Sequence, residues 1–162
     1  MRPSELSKAE FLARFGHVYE ASPWVAERVL PEAKAGSLDE LGAMAVAMRA
    51  AVDAAPREER LALIRAHPEL ASRAKMADAS VREQSDAGLD QCSAEELAAF
   101  RSLNAAYNER FGFPFIVAVK GLTRADILAR FRDRLDNDAE SEFEAAMAEI
   151  HRIAAFRLAD LF

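Results

Sequence analysis

Stepping the residues of the final segment by about 100° each, the angular period of an α-helix, gathers Phe143, Met147, Ile150, Ile153, Ala154 and Leu161 on one side. Glu149, Arg152 and Asp160 fall on the other. The pattern predicts a helix near 140–161 with one face in a core. Upstream, SKAE at 7–10, SLDE at 37–40 and SAEE at 93–96 have the spacing of a capping box, and TRAD at 123–126 is a weaker version. In this motif a Ser or Thr oxygen and an acidic side chain three residues on satisfy each other's free backbone N–H groups. These starts predict helices near 5–15, 38–54, 94–110 and 124–135, and two more run near 24–30 and 57–67. Gly16, Gly36 and Gly112 fall where C-caps are expected.

One segment breaks the helical pattern. FGFPFIVAVKG at 111–121 is apolar, rich in β-branched residues and interrupted by Pro114. Its propensity is that of a strand, yet the chain offers no convincing partner strand. An extended apolar stretch inside a helical core leaves backbone N–H and C=O groups that must be satisfied, by side chains or by a polar ligand. The reading is therefore an all-α fold: a single-domain helical bundle, 1–162, with one extended apolar segment near 113–119.

Composition narrows the class. The 162 residues suffice for one substantial core, and 51% hydrophobic with 30% charged residues is ordinary for a globular protein. A net charge of −6 argues against a nucleic-acid partner. Cys92 is the single cysteine, which excludes an internal disulfide and any zinc site built on several cysteines. No apolar run reaches membrane-spanning length, the start MRPSELSKAE lacks the apolar core of a secretory signal, and ADLF is not a peroxisomal address. The expectation is a cytoplasmic protein without membrane attachment.

Three places invite chemistry. In AHPELASR at 66–73, Pro68 disfavours helix in the residue before it, so the preceding helix should stop at or near His67. His67 then serves either as a C-terminal cap or as a held proton donor. In SVREQSDAGL at 80–89, Ser80 and Glu83 have capping-box spacing, but only about two turns fit before Gly88, a poor return for so strong a start signal. In the last helix Arg157 lies in the middle of the apolar stripe. An arginine there pairs with a buried carboxylate, holds an anionic ligand, or snorkels outward. His17 and His151 form no ligand pair with His67, so a histidine-based metal site has little support. A metal-assisted ureide hydrolase using His67 with Glu69 or His151, and a helical interaction module, stay open as alternatives.

FGHVYEASPW at 15–24, AHPELASR, SVREQSDAGL, FGFPFIVAVKG and IAAFRLADL at 153–161, taken together and in this order, resemble the 2-oxo-4-hydroxy-4-carboxy-5-ureidoimidazoline (OHCU) decarboxylase family. Glu69 stands where many relatives have Asp. The resemblance implies an all-α homodimer acting on a small-molecule ureidoimidazoline in urate degradation, without metal or organic cofactor, and yielding (S)-allantoin. Carried over by position, it implies that His67 and Glu83 are catalytic. It also implies that Pro68, Ser80, Gln84, the backbone of Phe115, Ile116, Val117, Ala118 and Val119, and Arg157 bind substrate.

Overall fold

Three of the expected caps open helices. Ser7, Ser93 and Thr123 each accept the backbone N–H of the acidic residue three positions on, and Glu10, Glu96 and Asp126 each accept the cap's own N–H. The computed structural model describes residues 1–72 and 78–162, and every regular element among them is a helix. These are α1 (Lys8–Phe15), α2 (Trp24–Lys34), α3 (Leu41–Asp53), α4 (Arg57–Ala66), α5 (Asp78–Asp86), α6 (Ala94–Phe111), α7 (Arg124–Leu135) and α8 (Ala139–Ala159), with short 3-10 turns at Pro3–Glu5 and Leu89–Gln91. Arg73, which closes the AHPELASR motif, lies outside the described residues. No described helix is long and apolar enough to cross a membrane.

The departures from expectation have local causes. SLDE at 37–40 does not cap α3, which begins at Leu41. Asp39 instead accepts the backbone N–H and hydroxyl of Ser4, each at 2.8 Å, and Ser37 donates to the carbonyl of Glu32 in α2. Ser37 is thus committed to the end of α2, and Asp39 to the N-terminal segment. α2 runs through Pro31 for one further turn, since a proline there removes only one late helical bond. α5 covers Asp78–Asp86, so Ser80 lies within the helix and is not its cap. α8 ends at Ala159, which leaves Leu161 of the predicted stripe beyond the helix and half-buried.

Residues 1–66 with 150–162 form one compact unit, and residues 67–149 another. In the first, α1 packs on α2 and α2 on α3, burying Phe11, Phe15, Val25, Val29, Met44 and Met48 along with Ile150 and Ala154 of α8. Each of the larger side chains contributes roughly 1.5–3 kcal/mol by leaving water, and Ala154 less. In the second, α6 packs on α7 around Phe100, Tyr107, Phe113, Phe115, Phe131 and Phe143. Gly112 ends α6 at φ +74°, a left-handed conformation that glycine adopts without strain.

A polar chain crosses the first core. The Tyr19 hydroxyl lies 2.8 Å from His151 Nδ1, and His151 Nε2 lies 2.9 Å from Asp53 Oδ1. A carboxylate only accepts, so Nε2 carries the proton and Nδ1 accepts from Tyr19. Burial pushes the His151 pKa below its ordinary value, with the Asp53 hydrogen bond and charge pulling the other way. Unfolding frees the imidazole to bind a proton more readily, so stability should fall as pH drops below about 6.5. Asp39, Asp126 and Asp138 have pKa values held low by Ser or Thr hydrogen bonds and stay ionised in this window. Thermal melts of the wild type and His151→Gln between pH 7.5 and 5 should show a shallower acid slope in the variant. Parallel slopes would remove His151 as the cause.

Candidate active site

His67 is the first residue after α4, so the helix stops where Pro68 requires. The histidine is buried, at 8% exposure. The turn that follows carries Ala71 at φ +54°, a conformation rarely adopted by a residue with a Cβ. Side-chain amides hold it there. Gln84 accepts the N–H of Ala71 at 3.1 Å and donates to the carbonyl of Glu69 at 3.3 Å. Asn104 donates to the carbonyl of Leu70 at 3.0 Å, and Asn108 donates to the Glu69 carboxylate. Backbone strain sustained by several polar braces is characteristic of functional loops.

The buried positions of α5 are Ser80 and Gln84, four apart and hence on one face, with Glu83 half-buried between them. Through Gln84 this face is tied to the loop that His67 opens. Gly88 follows at φ +79°, and a Cβ there would meet Arg124 Nη1 at 2.9 Å. That arginine bonds the Gly88 carbonyl and Glu96, so α7 fixes the end of the SVREQSDAGL motif.

The FGFPF segment is extended and buried from Phe113 to Val119 without any strand partner among the described residues. Its anchor is a buried ion pair. Arg134 Nε lies 2.6 Å from Glu142 Oε1, with side-chain exposures of 14% and 0%. Tyr107 and Asn137 donate to the same carboxylate. Burial and the neighbouring Glu142 push the Tyr107 hydroxyl far above its ordinary pKa, so it stays a donor. Arg134 then donates to the Ile116 carbonyl and lies over the Phe115 ring, which stacks on Phe131 at 4.0 Å. No backbone group of Phe115, Val117 or Ala118 makes a hydrogen bond among the described residues. For buried residues that is exceptional.

His67, Ser80, Glu83, Gln84 and 115–119 thus belong to one unit, and Arg157 to the other. Arg157 has found a carboxylate: its Nη1 lies 2.8 Å from Glu20 Oε2, the side chains being 9% and 4% exposed. Of the options left open by the sequence, a buried acidic partner is therefore realised, and a guanidinium with five donors can meet a ligand as well. For the metal alternative, Glu69 is committed to Asn108 and both ring nitrogens of His151 are bonded. Among the described residues no group of three or more His, Cys, Asp or Glu side chains could hold a metal ion.

Sequence reasoning missed Asn104 and Asn108, Arg134 with Glu142, and Glu20. The first pair had a signal: two amides four residues apart, flanking Tyr107 on the same helix. Glu142 had another, since the 100° step puts it only about 20° from Ile153. Glu20 had none.

The chain is similar to known proteins in sequence and in fold. Residues 4–159 match the family model described as OHCU decarboxylase. The 2-oxo-4-hydroxy-4-carboxy-5-ureidoimidazoline decarboxylase of Haloferax volcanii is 45% identical over 98% of this chain and 93% of its own. A crystal structure of (S)-allantoin synthase superposes with a TM-score of 0.80 at 32% identity, over 99% of this chain and 52% of that one, so the chain spans about half of that protein's length. A crystal structure of OHCU decarboxylase in the presence of (S)-allantoin gives a TM-score of 0.66 at 27% identity, over 80% and 89% of the two chains.

Proposed function

Since the chain belongs to the OHCU decarboxylase family, we propose that it removes CO2 from 2-oxo-4-hydroxy-4-carboxy-5-ureidoimidazoline and yields (S)-allantoin. The observation that carries this reading is the braced loop: a buried histidine opens a strained turn whose brace, α5, also bears Ser80 and Glu83.

The substrate's carboxylate sits on a carbon next to a ring C=N bond. As the carbon–carbon bond breaks, its electron pair moves toward that C=N, so the substrate is its own electron sink and needs no pyridoxal or thiamine. The ring nitrogen takes a proton as it receives the pair. The hydroxyl on the carboxylate-bearing carbon then gives up its proton and becomes a carbonyl, while the ureido-bearing carbon gains a proton, a net uptake of one proton for each carboxylate lost as CO2. His67, partnered in role by Glu83, holds and moves that proton, which imidazole can do near neutral pH. Delivery to one face sets the S configuration. Pro68 shapes the approach of His67 to substrate. Ser80, Gln84 and the backbone of 115–119 bind the ureido and ring amide groups, and Arg157 takes an oxygen of the substrate. Fixed donors of this kind act by orientation and by stabilising charge as it develops. The protein works as a cytoplasmic homodimer, and a sizing column checks the oligomer.

Chiral chromatography of allantoin formed from freshly generated substrate is the decisive test. A large excess of the S form, unaffected by a chelator, is expected. Racemic product at the spontaneous rate overturns the reading, and activity lost to the chelator would favour the metal-assisted hydrolase.

A further inference from the structure

The α1–α2 loop carries a buried charge in an unusual setting. Val18, Tyr19, Glu20 and Ser22 are all buried although none is in a helix, and Ala21 sits at φ +45°. The loop is pinned twice to α8. Tyr19 bonds His151, itself held by Asp53 of α3, and Arg157 Nη1 meets Glu20 and lies 3.4 Å from the carbonyls of His17 and Val18. Ser22 closes the turn by donating to the carbonyl of Glu20 at 2.8 Å. Stability alone does not account for such a pair, because removing two charges from water costs about as much as their attraction returns. The geometry has another consequence. Glu20 places a carboxylate 2.8 Å from Arg157 Nη1, so it offsets the charge of the guanidinium and fixes its orientation.

We infer that Glu20 is a positioning residue for Arg157 and decides which substrate group that arginine takes: a ring or ureido carbonyl, not the departing carboxylate. The inference rests on the proposal that Arg157 touches substrate. An uncompensated guanidinium would clamp the carboxylate, whose charge is greatest before CO2 leaves. Such an interaction favours the ground state over the transition state and slows the reaction. A neutralised fork still donates to a carbonyl oxygen as charge builds on the ring.

The test is Glu20→Gln, which keeps shape and an acceptor but removes the charge. Its kcat and KM are measured with fresh substrate, and inhibition is measured with allantoin, which is uncharged, and allantoate, which carries a carboxylate. Allantoate should bind about tenfold tighter to the variant, allantoin about equally, and kcat should fall about tenfold, as loss of the carboxylate charge beside Arg157 predicts. Glu20→Asp keeps the charge and shifts it by one methylene, so kcat should fall while allantoate affinity stays at the wild-type level. Unchanged kcat and unchanged allantoate affinity in Glu20→Gln overturn the inference. If circular dichroism shows that Glu20→Gln does not fold, Glu20→Asp and Tyr19→Phe decide, and wild-type kcat in both overturns it. Arg157→Met separates the two layers. If it leaves kcat, KM and both inhibition constants unchanged, Arg157 does not touch substrate and the premise fails. If it alters them while Glu20→Gln does not, the Glu20 role alone fails.

Discussion

Replacing His67 with asparagine is expected to leave the fold in place and to abolish stereospecific decarboxylation. Asparagine can still hydrogen-bond a carbonyl near the end of α4, and the turn after it is held by Gln84, Asn104 and Asn108, not by the imidazole alone. The melting temperature should therefore move by only a few degrees, about what 1 kcal/mol produces in a chain of this size. The rate should fall by roughly 10²- to 10⁴-fold, the usual contribution of a positioned acid–base group, and the allantoin that still forms should be racemic. Near-native turnover with retained S product would reduce His67 to a helix cap.

The legible parts of this molecule are those written in local pattern. Ser7, Ser93 and Thr123 cap helices because their partners are three residues away, and the apolar stripe of α8 is buried from Phe143 to Ala154 because a 3.6-residue period needs no knowledge of the rest of the chain. The stop at Ala66 follows from Pro68 in the same way. Where another partner competes, the local rule fails: Ser37 bonds the carbonyl of Glu32 in α2 and the expected cap of α3 is lost.

The site divides along the same line. His67, Ser80, Glu83 and Gln84 were reached through motifs. The bonds that brace the loop after His67 and the extended segment come from far along the chain: Asn104 to Leu70, Gln84 to Glu69 and Ala71, Arg134 to Ile116. Arg157 shows the limit most clearly. Periodicity flagged a cation on an apolar face and demanded a partner, but Glu20 lies in a loop with no period to read. The demand was visible in the sequence. The partner was not.

The second large effect is expected at Glu142, fully buried between Arg134, Tyr107 and Asn137. Glu142→Leu removes the carboxylate and strands the Arg134 guanidinium in the core. Breaking a buried pair from one side costs roughly 3–5 kcal/mol, a large part of the 5–15 kcal/mol by which domains are typically stable. Urea denaturation should show a midpoint shifted far down at unchanged slope. The double variant Glu142→Leu with Arg134→Met removes both charges, and stability should recover much of the loss. It should stop short of the wild-type value, because Tyr107, Asn137 and the Ile116 carbonyl lose their partners. Activity should not return with it. Arg134 is what holds the Ile116 carbonyl and packs on Phe115, and methionine cannot donate to a backbone oxygen. The extended segment would then be free to shift, misaligning the backbone groups of 115–119 assigned to the substrate, with a rise in KM as the readout. A double variant that regains both stability and KM would mean that the pair only supports the fold, and that the backbone of 115–119 keeps its geometry without Arg134.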